Sequence, residues 1–171
     1  MKSRLVLTAV AGLSLLAVPA VAQAPNPLDV IPPNQPFDIP YGTPISLAKA
    51  QAVIAAAVGE CAKHNWKMNV AVVDSGGNLV AFSRMDGAQI ASVVISQAKA
   101  KSAAEFRRET KVFESGMMAG NIYQLSLPGA IGSRGGIPLV EGGKLIGAIG
   151  SSGGAGAQDE VCSKAGAALI K

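Results

Sequence analysis

The spacing of hydrophobic residues changes several times along the chain, and each change marks a predicted element. After Ser46, which suits a helix N-cap, apolar residues recur at helical spacing until a predicted stop near His64. Two short apolar runs follow, 70–73 and 79–82, with a glycine-containing turn between them. They predict a β-hairpin that ends near Arg84.

The second half of the chain repeats this order of helix and hairpin. A second helix is predicted from about Ala88 to Glu109, with four residues on its apolar side: Ile90, Val93, Val94 and Ala98. Its other positions are largely Ala and Ser, so it can pack tightly against the sheet or another helix. A shorter helix or helical loop follows over 112–124, weakened by Gly116 and Gly120. A hairpin over 137–149 and a final helix after the glycine-rich loop 151–156 complete the pattern. Because hairpins pair their strands in antiparallel fashion, the chain is predicted to be an α/β protein of the α+β type, with a mainly antiparallel sheet and helices packed on it.

The first residues have a different pattern, which is typical of a secretory signal peptide. Lys2 and Arg4 precede the uncharged apolar stretch 5–18, and a small-x-small cleavage pattern follows at 20–22. The apolar stretch is shorter than the roughly 20 residues that span a membrane, and no later stretch is long enough. We therefore predict a signal peptide over 1–22, with a second possible cut after residue 24, and a soluble periplasmic or secreted protein without a membrane span.

Prolines crowd the segment that follows the predicted signal peptide. Seven of them lie between Pro25 and Pro44, and proline neither continues a helix nor donates to a sheet. The range 23–45 is therefore predicted to be an extended arm, either a disordered leader or an arm that crosses a neighbouring subunit. The range 46–171 has the size of one ordinary domain. Its two cysteines, Cys61 and Cys162, either form a disulfide between the first and last helices or stay as buried thiols.

The formal net charge argues against a large class of partners. It is +4 for the whole chain, and removing Lys2 and Arg4 with the signal peptide leaves +2. No run of lysine and arginine carries interleaved aromatic residues. We therefore expect no nucleic-acid partner.

Three stretches of sequence resemble a known family. They are VAVVDSGGNLVAFSRMDGA at 70–88, AKAKSAAEF at 98–106, and GGIP at 135–138 continued by LIGAIGSSG at 145–153 and QDE at 158–160. In this order they resemble the GlcG/HbpS-like haem-binding proteins and the C-terminal domain of the PduO-type corrinoid adenosyltransferases. The resemblance implies a three-layer α/β/α domain, a homo-oligomer, and a role in haem or iron handling or in redox sensing.

The resemblance also implies where a haem would lie. Haem needs an apolar slot, one or two axial ligands and basic groups for its propionates. The end of the second helix would face it, with Thr110 supplying a hydroxyl contact and with Arg107, Arg108 and Lys111 near the propionates, since guanidinium groups bind carboxylates in a two-pronged fork. The alternative is a solvated basic patch, which the helix dipole favours at a helix C-terminus.

His64, the only histidine, is a second candidate for the iron. Near a predicted helix C-terminus it is also favoured simply by the dipole. The chain has no C-x-x-C-H motif, which excludes covalent c-type haem attachment. It also has no cluster with zinc-ligand spacing and no recognisable catalytic constellation.

Arg84 and Asp86 provide an alternative site at a predicted strand end. They could orient a small carboxylic acid, or they could form a salt bridge or turn that starts the second helix. The sequence therefore supports three functions: an exported haem-binding homo-oligomer, an enzyme or accessory protein for a small hydroxy acid or aldehyde, and a purely structural oligomeric module.

Overall fold

The computed structural model describes residue 26 and residues 29–171, so the predicted signal peptide, 1–22, lies outside the described residues. Four α-helices are present in the described range: α1 (Leu47–Lys63), α2 (Ser92–Glu105), α3 (Lys111–Met118) and α4 (Gly156–Ala167). Four strands lie between them: β1 (Asn69–Asp74), β2 (Leu79–Arg84), β3 (Gly136–Glu141) and β4 (Lys144–Ser152). None of the helices in this part of the chain is long and apolar enough to cross a membrane.

The four strands form one antiparallel sheet in the order β2-β1-β4-β3. Within the two hairpins β1 pairs with β2 and β3 pairs with β4, and β1 pairs with β4 at the centre of the sheet. The α+β class and the antiparallel sheet are therefore confirmed.

The core is divided between the two faces of the sheet because successive strand residues point to opposite sides. Val70 and Val72 of β1 belong to a hydrophobic cluster that includes residues of α1 and α4. Ala71 and Val73, the alternating residues, belong to a second cluster with alanines of α2. On the first side, a disulfide between Cys61 and Cys162 joins α1 to α4, so the bridged alternative is the one that the structure forms.

Helix α2 packs with a different face from the one predicted. Ile90 and Val94 are 76% and 70% exposed. The buried residues of the helix are mainly small or polar: Ser92, Ser96, Lys99, Ala100, Ser102, Ala103 and Ala104. The reason is a close approach to the sheet, since a Cβ added to Gly150 would lie 2.2 Å from the carbonyl oxygen of Ser96. Only a small-residue face fits at that distance, so the apolar stripe is left outside.

The second half of the predicted arm packs onto its own domain. Residues Gln35–Lys171 form one compact unit, which includes residues before 46. The amide of Leu145 donates to the carbonyl of Pro40 at 2.8 Å, and the amide of Gly42 donates to the carbonyl of Leu145 at 2.7 Å. This part of the arm therefore extends the sheet beside β4 with a short parallel contact.

Candidate functional site

A cavity of about 640 Å³ lies between the arm, the segment after α2, the start of α3 and the edge strand β3. Its size falls within the usual range for small-molecule sites, about 300–1,000 Å³. Its apolar lining is Phe37, Ile39, Val112, Ile137, Pro138 and Val140. Its polar lining is Arg107, Arg108, Glu109, Lys111 and Ser115. Three of the predicted site residues, Arg107, Arg108 and Lys111, are thus brought together at one apolar cavity.

The end of α2 places the two arginines next to each other. The amide of Arg107 donates to Ala104 at 3.3 Å and that of Arg108 donates to Ala103 at 3.2 Å, the paired bonds of a Schellman motif. Arg107 occupies the left-handed position of this motif, with φ of 53°. Glycine is the usual residue there because a side chain is strained in that conformation. The left-handed turn also explains why α2 ends at Glu105 and not at the predicted Glu109.

Arg107 is held by the arm. Its Nη1 donates to the carbonyl of Ile39 at 3.1 Å and lies 3.8 Å from the carboxylate of Asp38. Its guanidinium also lies 5.4 Å from the ring centre of Tyr41. The residue is therefore partly shielded and already has anionic or carbonyl partners.

Arg108 lies among aromatic rings. Its guanidinium is 3.6 Å from the ring centre of Phe37 and 5.4 Å from that of Phe113. Burial lowers the pKa of Arg108, Tyr123 partly offsets this, and the charge of Arg107 lowers the pKa further. The group still stays protonated at physiological pH because an arginine titrates far above it. Arg108 therefore carries a full charge in apolar surroundings.

Lys111 is oriented by a network of ion pairs centred on Glu160 of α4. The Glu160 carboxylate, whose side chain is only 9% exposed, lies 3.4 Å from Lys111 and 3.4 Å from Arg134, and it accepts a hydrogen bond from Lys164. Burial alone would raise the pKa of Glu160, but the hydrogen bond from Lys164 and the charges of Lys164 and Lys111 lower it overall. The carboxylate is therefore ionised at neutral pH and fixes Lys111 at the cavity edge.

Thr110 is fully buried and does not line the cavity. Its Oγ1 accepts a hydrogen bond from the amide of Gly136 at 2.9 Å, and its own amide donates to the Gly136 carbonyl at 3.0 Å. The hydroxyl predicted to contact haem is thus directed at the backbone of β3. In this geometry Thr110 joins the start of α3 to the edge strand and thereby positions its charged neighbours.

The other predicted site residues lie elsewhere. His64 ends α1, stacks on Trp66 with ring centres 4.3 Å apart, and has Nε2 3.3 Å from Glu60. Arg84 and Asp86 are exposed at the end of β2, the opposite edge of the sheet from β3. No ion pair joins these two within the described residues, and a turn at Gly87 with φ of 76° follows them. The geometry therefore agrees with the turn alternative at this position.

The apolar walls of the cavity were not predicted from the sequence. Phe37 and Ile39 come from the arm, and Ile137, Pro138 and Val140 come from β3. One signal was available: Phe37, Asp38 and Ile39 alternate apolar, charged and apolar, as in an extended segment with one packed face, and Phe37 and Ile39 are half-buried in the structure. This pattern could have indicated that the arm packs on the domain.

A family model described as haem degrading protein HbpS-like matches residues 45–168. This chain belongs to the HbpS-like family. The protein GlcG of Escherichia coli strain K12 is 44% identical over 108 residues, which are 63% of this chain and 81% of GlcG. The resemblance to the GlcG/HbpS-like proteins is therefore confirmed.

Solved structures support the same family. A double mutant of HbpS from Streptomyces reticuli has a TM-score of 0.70 and 27% identity, covering 83% of this chain and 97% of its own. A structure described as the PduOC:heme complex has a TM-score of 0.68 and 24% identity, covering 75% and 96%, and shows the shared fold. The basic residues of the cavity lie within the range that the HbpS-like model matches, whereas Phe37 and Ile39 precede it.

Proposed function

We propose that this protein binds haem in the cavity beside β3, acting as an exported homo-oligomer in haem or iron handling. The observation that carries the proposal is an apolar cavity with Arg107, Arg108 and Lys111 on its lining. A planar apolar molecule with two carboxylates is the chemistry that such a site recognises, because apolar walls take the ring and guanidinium forks take the carboxylates.

The residues present fit this group in apolar character and charge. Phe37 and Ile39 on one side and Ile137 on another offer apolar contacts to a flat ring. Among the lining residues, the groups with oxygen that could face an iron are the Glu109 carboxylate and the Ser115 hydroxyl. Haem would supply redox chemistry at its iron, and the chain would bind it, orient it and exclude water.

Relatives give independent support. The family description names haem degradation, and the PduOC protein was solved as a complex with heme. Neither fact concerns this chain directly, but both make haem the first ligand to test. A redox-sensing role would use the same bound haem.

Export and assembly are part of the proposal. A disulfide between α1 and α4 suits an oxidising compartment, in agreement with the predicted signal peptide. The proposed homo-oligomer would offer a place to cover several strongly exposed apolar side chains: Ile90, Val94, Met118, Ile122 and Leu125.

The test is a haemin titration of the mature protein, residues 23–171, followed by the Soret band. We expect a saturable, shifted band with one haemin per chain. Arg107→Gly should weaken binding about tenfold, because a charge-assisted hydrogen bond contributes about 1.5–3 kcal/mol. Lys63→Ala, which removes an exposed charge from α1, is the matched control and should bind as wild type does.

Two other results would change the conclusion. A haemin titration without saturation would overturn the proposed haem binding. A bound band that decays under a reductant and oxygen would assign the degradation named in the family description. Arg84 and Asp86 are not among the lining residues of the cavity beside β3, so the small-acid alternative would need a separate site.

A further inference from the structure

We propose that the arm segment Gln35–Tyr41 sets the affinity of the cavity for anionic ligands, with Asp38 competing against a ligand carboxylate for Arg107. The inference rests on the proposed function, since it concerns the same cavity. It makes Asp38 and Phe37 specificity-determining residues.

The guanidinium that a ligand carboxylate would use already has partners from the arm. The carbonyl of Ile39 accepts a hydrogen bond from Arg107, and the Asp38 carboxylate lies 3.8 Å away with 77% of its side chain exposed. An exposed ion pair of this length is weak, so a ligand with well-placed carboxylates can replace it. A ligand without an anionic group gains nothing from displacing Asp38.

Backbone strain is concentrated where the arm meets the arginines. Among the described residues, three non-glycine residues adopt the left-handed conformation, and two of them, Phe37 and Arg107, belong to this cavity. Such conformations persist where the surroundings hold them, and they are often found at ligand clamps. The guanidinium of Arg108 lies 3.6 Å from the ring centre of Phe37, and this stacking contact holds Phe37 in place.

The segment is fixed at one end only. Pro40 accepts a hydrogen bond from the amide of Leu145, and the Tyr41 hydroxyl donates to the carbonyl of Glu105 at 2.9 Å. Within the described residues, no hydrogen bond joins the backbone of 35–39 to another part of the backbone. Contacts with Arg107 and Arg108 therefore restrain Phe37 and Asp38, whereas Ile39 also packs against the second core cluster.

The arm segment Gln35–Tyr41 acts as a strap. Its closed position is held by the same arginines that a ligand carboxylate would bind. Binding of a carboxylate to Arg107 would release Asp38, while Phe37 and Ile39 would pack on the apolar face of the ligand. The segment precedes the range 45–168 that the family model matches. The competing residues Phe37 and Asp38 therefore lie outside the matched range, whereas Arg107 lies inside it.

The main test is Asp38→Asn in the mature chain, with two probes: haemin and the apolar anion anilinonaphthalenesulfonate. Loss of the competing charge should tighten both about two- to fivefold at low salt, as expected for one exposed ion pair. The gain should shrink at high salt because the pair is screened. Glu60→Gln removes one carboxylate at the end of α1 and should leave both affinities unchanged.

Two further measurements test the mobility of the arm and the role of the Phe37 ring separately. Backbone NMR order parameters of residues 37–39 in the ligand-free protein should be lower in Asp38→Asn than in wild type, because the arm loses one of its contacts with Arg107. Phe37→Gly keeps the left-handed backbone without strain but removes the ring, so it should weaken haemin binding severalfold.

The outcomes distinguish this inference from the proposed function. If wild type binds haemin and Asp38→Asn binds it equally or more weakly, the arm is not a competitor and haem binding still stands. If haemin binds neither protein but the sulfonate probe binds Asp38→Asn more tightly than wild type, competition by the arm is supported and haem binding is overturned. If neither probe binds either protein, both are overturned.

Discussion

Lys99 of α2 and Asp159 of α4 form a buried ion pair, with Nζ 2.7 Å from Oδ2 and side chains that are 1% and 3% exposed. The Asp159 carboxylate also accepts a hydrogen bond from the amide of Gly154 at 3.1 Å. Burial raises the pKa of Asp159, and the hydrogen bond and charge of Lys99 oppose that rise. Two helices that belong to different core clusters are thus joined by one pair of charges.

Breaking this pair should destabilise the protein strongly. Lys99→Met leaves Asp159 buried without its partner, and we expect a loss of about 3–5 kcal/mol in the free energy of unfolding, measured with urea. The double variant Lys99→Met with Asp159→Leu should lose less than Lys99→Met alone, because it leaves no unpaired charge. Equal losses in both would mean that the pair acts only through packing.

Arg107→Gly should separate stability from ligand binding. Glycine adopts the left-handed conformation of residue 107 without strain, so the free energy of unfolding should stay the same or rise by up to about 1 kcal/mol. Arg107→Ala keeps a Cβ in that conformation and should be less stable than Arg107→Gly by a similar amount. If both variants bind haemin as wild type does, Arg107 has no part in the ligand site.

Thr110 should act through the backbone of β3. Thr110→Val leaves the buried amide of Gly136 without its acceptor, which should cost about 1–3 kcal/mol of folding free energy. Thr110→Ser keeps the hydroxyl and should be closer to wild type. In folded Thr110→Val we expect the Soret band of bound haemin to keep its position, and a shifted band would instead support the hydroxyl contact that the family resemblance implies.

The pH dependence of stability should include a contribution from Glu160. Its folded pKa lies below the ordinary value of 4.5, so the folded state favours the ionised form. This contribution is fully present above pH 4.5 and is lost as the pH falls through the lowered folded pKa. Urea unfolding of wild type and Glu160→Gln should therefore differ most at neutral pH and converge in acid, and a constant difference would contradict the ion-pair network as the cause.

The sequence predicted the elements of this fold better than it predicted their contacts. Hairpin and helix signals depend on nearby residues, and the N-cap at Ser46 is confirmed, with its side chain accepting from the amide of Lys49 at 3.3 Å. The predicted helix over 112–124 ends early, at Met118, with Gly120 in a left-handed conformation and a short 3-10 segment from Ile122 to Ser126. Here the weakening effect of glycine was the useful signal.

The candidate site was predicted in part for a similar reason. A run of basic residues after a helix is visible in the sequence, and Arg107, Arg108 and Lys111 do meet at a cavity. The position of the arm depends on hydrogen bonds with Leu145, more than a hundred residues away, which no local pattern reveals. The apolar side predicted for α2 was wrong because its close approach to glycines of the sheet admits only small side chains, whereas the predicted tight packing through its alanines and serines is present.

The disulfide has a topological consequence. Cys61 and Cys162 are 101 residues apart, so the covalent bridge closes a ring that contains all four strands and the β3 side of the cavity. A protease that nicks the exposed β3–β4 turn at 142–143 would produce two fragments that remain one molecule, each carrying one strand of the central pair. Such a cut would be invisible by size until a reductant separates the two fragments.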